Sequence, residues 1–443
     1  MARRRRTAAA RSLAGRTAAA RRPGAPARAL LPVLLCATLA VAGATGVVGA
    51  PSTTAAPGTA AATGGAGDLA AKLGARFPRA GLGPGAVGEV VDAASGAVLW
   101  SSGAATGRMP ASTAKLATAV AALTLLGPDH TERTSTRYRA ADNTLYLVGG
   151  GDPDLDQDAL GALAADTARA LKARGRTQVT LRFDDSLFPA PAPSPGWLPD
   201  YYPYELAPVR ALALVGERSA DTALSAAASF GRQLAAAGVR CAPPTRAPAP
   251  ADAEPVAVRS SGPLWQAVEY MLKVSDNNVA EELLRLTALA RHGTADWQDG
   301  TEAVRSVLDG YRVPLDGTAL NDGSGLSRDD RMTPRALGAI AALTVRPELG
   351  RLLWPVFAGL PVAGRDGTLA GANHRFDTPP GSCAAGLVHA KTGTLHDASA
   401  LAGVTRGPDG RWRAFAFLEN GAVTTATARR GLDALAATVV GCW

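Results

Sequence analysis

The sequence predicts a mixed α/β (α+β) fold, a principal domain of sheet and helices interrupted at residues 136–260 by an inserted α/β domain. Three observations carry that expectation. At 443 residues the chain exceeds one ordinary domain. It is 47% hydrophobic and 19% charged, which supports a buried core and excludes a disordered chain. Strand-like and helix-like stretches alternate along it, and their texture changes near residue 136, with a proline-rich connector, APPTRAPAPADAEP, at 242–255.

Residues 1–28 form a basic region with nine arginines, and the first acidic residue is Asp68. Setting those nine aside leaves 37 basic residues against 38 acidic ones, so the net charge of +8 is not a property of the folded body. A nucleic-acid binder carries its basic patch on the folded domain, which excludes nucleic acid as a partner. Residues 29–50, ALLPVLLCATLAVAGATGVVGA, carry no charge. An apolar run of about 20 residues can enter a bilayer, with the arginines left on the cytoplasmic side. It reads either as a signal peptide cut after Val48-Gly49-Ala50 or as an uncleaved anchor in the cytoplasmic membrane. Both readings put the remainder outside the cytoplasm, secreted or held at the outer face of that membrane. Cysteines can pair there. Cys241, Cys383 and Cys442 allow one intramolecular disulfide at most; the sequence does not choose the pair, and Cys383 with Cys442 is favoured.

Residues 51–68 lack large apolar groups and read as a flexible linker, with ordered structure starting near Leu69 to Phe77. AVGEVVDAASGAVLW (86–100) alternates around an Ala-Ser-Gly turn, as a hairpin does. ASTAKLATAVAALTLLG (111–127) has a helical period and stops at Gly127-Pro128. Within the insert, TLYLV is a strand, 158–175 a helix, QVTLRFDDSLF a strand and 221–238 a helix; the aromatic, proline-rich 189–208 lies between the last two. Residues 261–290 read as two helices broken near Val274 to Asn277. Helices follow at 301–312 and 334–345, then three strands, GLVHAKTGTL, SALAGVT and WRAFAFLENG, and a terminal helix.

Three short signals stand in order: Ser112-Thr113-Ala114-Lys115, Ser275-Asp276-Asn277 and Lys391-Thr392-Gly393. Positions i and i+3 share a helix face, so Ser112 and Lys115 can touch. A serine hydroxyl attacks carbonyls poorly until a base takes its proton, and a desolvated lysine can be that base. Lys391 is a second cation that can lower the proton affinity of Lys115 or attract an anionic substrate end. Alone, each signal is an ordinary helix surface, turn or strand end. The background makes them specific: the chain has only five lysines, Lys72, Lys115, Lys172, Lys273 and Lys391, and two fall in these signals. Arginine would keep the charge but cannot give up its proton, so it could not serve as a base.

With GGGDPDL (149–155), NDGSGLSR (321–328) and LPVAGRDGTL (360–369), these signals make the chain from Leu69 onward resemble the class C low-molecular-mass penicillin-binding proteins, the D-alanyl-D-alanine carboxypeptidases and endopeptidases. The resemblance implies a β-lactamase/transpeptidase-like domain, an antiparallel five-stranded sheet flanked by helices, made from 69–135 and 261–443. The gap from Ser112 to Ser275 implies one inserted domain, with a second accessory domain of the family reduced or lost. It implies a serine carboxypeptidase, with cross-link cleavage as a further activity, acting on peptidoglycan stem peptides through an acyl-enzyme on Ser112. β-Lactam antibiotics would acylate and inhibit it, and it needs no cofactor or metal. Lys115 would take the proton of Ser112, Ser275 and Lys391 would relay one to the departing D-alanine, and Asn277 would hold the peptide amide. Thr392 and Thr394, beside Gly393, would bind the terminal carboxylate. The N–H groups of Ser112 and Thr394 would form the oxyanion hole. Val274 departs from the lysine or polar residue that many relatives place before this serine.

Other features are weaker. Asp322-Gly323-Ser324-Gly325 reads as a tight turn supporting the site rather than a nucleophile loop. Gly149-Gly150-Gly151-Asp152 is not a phosphate loop, since no Lys-Ser/Thr follows it. The five histidines show no zinc spacing, and His389 and His396 read as ordinary strand positions. Trp197 and Asp200, with Tyr201, Tyr202, Tyr204 and Glu205, form either an acidic, aromatic wall for a cationic third side chain of the stem peptide or the packing of insert on core. A serine β-lactamase is disfavoured because no Glu-x-x-Leu-Asn segment lies between the second and third signals. A non-catalytic sensor is disfavoured because every catalytic position is filled.

Overall fold

The computed structural model describes residues 61–443 except Ala422; the basic region, the apolar run and residues 51–60 lie outside the described residues. The first described element corrects the linker reading. Helix α1 spans Ala61–Arg76 and takes in residues 61–68. Alanine has the highest helix propensity, and Leu69 and Leu73, one turn apart and buried, tie the helix to the core.

The principal sheet has the order β2-β1-β11-β10-β9. Its strands are β1 (Val87–Asp92), β2 (Val98–Ser102), β9 (Val388–Leu395), β10 (Ala398–Arg406) and β11 (Trp412–Asn420), and every pairing is antiparallel. This is the five-stranded sheet expected. Side chains alternate across it. Val90, Leu401, Phe415 and Phe417 face α1 and the terminal helix α11 (Thr425–Val440). Ala400, Ala402, Val404, Ala414, Ala416 and Leu418 face a helical layer, and their small size lets helices pack close. That layer contains α2 (Lys115–Leu126), α6 (Leu264–Val274), α7 (Asn277–His292), α8 (Trp297–Gly310), α9 (Pro334–Leu343) and α10 (Gly350–Gly359). The helix expected at 301–312 starts earlier, where Asp296 caps it, and α10 escaped the sequence pattern because Pro355 lies inside it. Cys383 and Cys442 form the disulfide, and Cys241 is free.

The insert starts at residue 133 rather than 136. Its strands are β3 (Arg133–Arg139), β4 (Thr144–Val148), β5 (Gln178–Asp184), β6 (Arg240–Cys241), β7 (Thr245–Arg246) and β8 (Glu254–Ser260), with helices α3 (Gln157–Ala173) and α5 (Thr222–Ala236). The sheet runs β6-β5-β4-β3-β8, with β7 also on β5, and the parallel β4–β5 pair is joined through α3. It has its own core of Leu145, Leu147, Leu163, Phe183, Phe230 and neighbours. The chain between β5 and α5 behaves otherwise. It leaves the insert, makes the short turn α4 (Tyr201–Tyr204), and buries Phe188, Trp197, Tyr201, Leu206 and Val209 in the core of the principal domain. The stretch read as part of a separate domain is thus one wall of the cleft.

Candidate active site

Ser112 lies on a 3₁₀ turn, Ala111–Ala114, that leads directly into α2. Ala111 before it has φ +47°, a left-handed backbone that costs a non-glycine residue about 1 kcal/mol or more and persists only where packing enforces it. Two glycines do so. A Cβ on Gly325 would overlap the Ala111 carbonyl oxygen, and one on Gly393 would overlap that of Pro110. The first of those glycines lies in the NDGSG turn and the second in the Lys-Thr-Gly strand, so two segments distant in sequence pack directly against the nucleophile turn.

Lys115 is fully buried, and its Nζ donates to Ser112 Oγ (3.0 Å), Asn277 Oδ1 (2.7 Å) and the Ser324 carbonyl (2.8 Å). Burial lowers its pKa to about 8, against the opposing pull of Glu281, Asp322, Asp276 and Glu205. Ser275 ends α6 in a left-handed conformation (φ +66°), and Asp276 caps α7 by accepting from Val279 N (3.0 Å). That break turns Ser275 and Asn277 toward the lysines. Lys391, also fully buried, donates to Ser275 Oγ (2.8 Å) and to the Thr392 carbonyl (2.9 Å). Burial, and then repulsion from Lys115, push its pKa well below the usual lysine value.

Strand β9 is the sheet's edge. Its lower part is covered by the 360–369 stretch: Ala363 N donates to the Val388 carbonyl and Ala390 N to that of Pro361. Above that, Thr392 Oγ1 pairs with Thr368 Oγ1 at 2.7 Å, and Thr394 is exposed. The open edge from Lys391 to Leu395 is where an extended peptide can add as a further strand. Ser112, Lys115, Ser275, Asn277, Lys391, Thr392, Gly393 and Thr394 therefore converge on one cleft.

Trp197 does not join them. It is only 9% exposed, its indole N–H donates to Asp322 Oδ2 (2.7 Å), and its ring meets Tyr202 and Trp297 edge-on. A buried ring with its only donor engaged cannot line a binding wall, so its assignment to substrate is corrected to packing. Asp200 stays exposed on the same segment, as does Glu205, whose carbonyl accepts from Asn277 Nδ2 (2.9 Å). His389 stacks on Phe357 and His396 is exposed; neither enters the cleft contacts. The 322–325 turn supports the site, as read. Sequence reasoning missed Glu281, whose carboxylate accepts from Gly323 N (3.0 Å) and Ser324 N (2.8 Å) directly behind Lys115's acceptor. Its one signal was a charge inside the apolar run of α7.

A serine held against a buried amine, with a second Ser–Lys pair and an open strand edge opposite, defines a serine acyl-transfer hydrolase. Comparison with known proteins narrows the class. The sequence profile of the D-Ala-D-Ala carboxypeptidase 3 (S13) family matches residues 69–218 and 213–439. The chain is 35% identical over 376 residues to a carboxypeptidase of Mycobacterium tuberculosis, covering 80% of each chain. It is 35% identical over 395 residues to carboxypeptidase DacB of Mycolicibacterium smegmatis, covering 84% of each. The fold matches penicillin-binding protein 4 of Haemophilus influenzae with a TM-score of 0.70 at 23% identity, over 83% of this chain and 97% of that one. The chain belongs to the S13 family and is a serine-type D-alanyl-D-alanine carboxypeptidase.

Proposed function

We propose that Ser112 is the acylated nucleophile and Lys115 its base; the observation that carries this is the 3.0 Å bond between them at an amine that burial makes easy to deprotonate. Neutral Lys115 takes the Oγ proton as Oγ attacks the carbonyl carbon between the two D-alanines of a stem peptide. The oxyanion falls between the N–H groups of Ser112 and Thr394. As the C–N bond breaks, the proton passes through the Ser275–Lys391 pair to the leaving amine. Water then cleaves the ester and Ser112 recovers its hydrogen. Thr392 and Thr394 hold the terminal carboxylate at the open edge of β9, and Asn277 the peptide amide. Glu205, whose carbonyl accepts from Asn277, and Asp200, exposed on the same segment, offer carboxylates to a cationic third side chain. A β-lactam presents a strained amide to the same atoms and leaves a stable ester on Ser112. The basic region and apolar run support an enzyme working outside the cytoplasm, where peptidoglycan is. Release of D-alanine from a diacetylated tripeptide, with a penicilloyl adduct on the peptide containing Ser112, tests the assignment. Release that survives in Ser112→Ala would overturn it.

A further inference from the structure

Lys115 does not meet a carboxylate directly. Its third acceptor is the Ser324 carbonyl, and the peptide group carrying that oxygen donates at its other end, Gly325 N, to Asp322 Oδ1 at 2.7 Å. The preceding peptide is held as firmly: Ser324 N donates to Glu281 Oε1 (2.8 Å), and the Gly323 carbonyl accepts from Thr118 Oγ1 (2.7 Å). Asp322 Oδ2 also accepts from Ser327 N (2.7 Å) and the Trp197 indole. Both carboxylates are buried, at 0% and 1% exposure, and Gly323 lies so close to α7 that a Cβ would strike the Ala280 carbonyl oxygen. An ammonium, one peptide and a carboxylate thus form a chain in which charge at one end polarises the other.

We propose that Glu281 and Asp322 are positioning residues for acyl transfer: through the Gly323–Ser324–Gly325 backbone they hold the Ser324 carbonyl on Lys115 Nζ, and their charges set the pH at which that amine acts as base. This rests on the reading of Lys115 as the base. Lys115 also faces Asp276 and Asn277 at the helix break, Glu205 of the cleft wall and Lys391 on β9. Glu281 faces Asp322, Arg285 of its own helix and Tyr202 of the wall, and burial, then Asp322, raises its pKa to about 8; Asp322 also faces Asp330. Carboxylates near an ammonium favour the protonated amine. Removing one lowers its proton affinity and frees the base at lower pH.

The test is the rate of Ser112 acylation by a fluorescent penicillin against pH in the wild type, Glu281→Gln, Glu281→Ala and Asp322→Asn. The acid limb should move to lower pH in Asp322→Asn, by up to about one unit, and by less in Glu281→Gln, because that buried carboxylate is itself partly protonated on the limb. Glu281→Ala should lose more rate than Glu281→Gln, because glutamine keeps one acceptor for the turn. An acid limb unmoved in both Glu281→Gln and Asp322→Asn, with melting temperature unchanged, would overturn the proposal. Where the variants do not fold, the wild type decides. With only five lysines, a ¹⁵N-lysine and ¹³C-glutamate NMR titration can follow both groups. A Glu281 signal that ignores the titration of Lys115 would refute the coupling. A Lys115→Ala enzyme that acylates at the wild-type rate would instead remove the base assignment, a different failure.

Discussion

The cleft contains two Ser–Lys pairs of nearly equal geometry and unlike origin. Ser112 and Lys115 are three residues apart on one helical turn; Ser275 and Lys391 are separated by 116 residues and meet only when the α6–α7 break is brought to β9. Both lysines are fully buried. Their surroundings differ. Four carboxylates pull on Lys115, whereas Lys391 has two neutral acceptors and Lys115 as a neighbouring cation. The first pair is suited to exchange a proton near pH 8; the second is short of negative charge, which a substrate carboxylate would supply under the roles proposed for Thr392 and Thr394. Position in the chain made one pair local, and electrostatics made the two unequal.

The largest effects should come from the local pair. Ser112→Ala should abolish acylation, and Lys115→Ala should slow it about 10²–10⁴-fold, the span of a general base. Lys115→Arg should do no better, since arginine holds its proton. Stopped-flow acylation measures all three, and a Lys115→Arg enzyme near the wild-type rate would break the distinction between the pairs. Lys391→Ala should be milder, about 10–100-fold in D-alanine release, as for the loss of one hydrogen bond to a charged group. Its acid limb should stay at the wild-type pH, unlike that of Glu281→Gln, because the charges bearing on Lys115 are carboxylates and Lys391 is the amine that yields its proton affinity to Lys115.

Next in size is a pH effect of the buried amines on folding. Lys115 titrates at about 8 in the native enzyme and near the ordinary lysine value when unfolded. Between those two pH values the unfolded chain binds more protons, so native stability rises with pH across the window. Denaturant midpoints compared at its two ends should show that rise in the wild type. It should shrink in Lys115→Met, which removes the titrating group. A related expectation separates the pairs: binding of an uncleavable D-Ala-D-Ala analogue should draw a proton onto Lys391. Isothermal titration in buffers of different ionisation enthalpy would detect that uptake, which Lys391→Ala should lose.

What could be read from sequence follows the same division. The Ser112–Lys115 contact follows from helical period alone, and the break at Ser275–Asn277 from the capping preference of Asp276. The Lys391 strand was legible from its neighbours, but its partner Ser275 only through the family resemblance, since nothing local joins residues 116 apart. Glu281 was missed because its one signal, a charge inside α7, is shared with Glu282, which is also buried, and nothing local tells which carboxylate clamps two backbone N–H groups. Trp197 had two readings because its burial is decided by Asp322, 125 residues away. Residues 61–68 looked like a linker because alanine marks both low-complexity spacers and good helices, and only the docking of Leu69 and Leu73 chooses between them.

The smallest expected effect on catalysis is that of the disulfide, and it asks whether the foot of β9 needs covalent support to present Lys391. Cys383 lies five residues before β9, and Cys442 follows α11, closing a loop with a sequence separation of 59. Loss of such a closure removes about 2–4 kcal/mol by restoring freedom to the unfolded chain. Cys383→Ser with Cys442→Ser should therefore lower the melting temperature by several degrees. It should leave penicillin acylation unchanged at room temperature, because β10 and the 361–363 segment still fix β9 from both sides. D-alanine release should follow acylation. A loss of release with intact acylation would show that the Ser275–Lys391 pair depends on the disulfide and the Ser112–Lys115 pair does not.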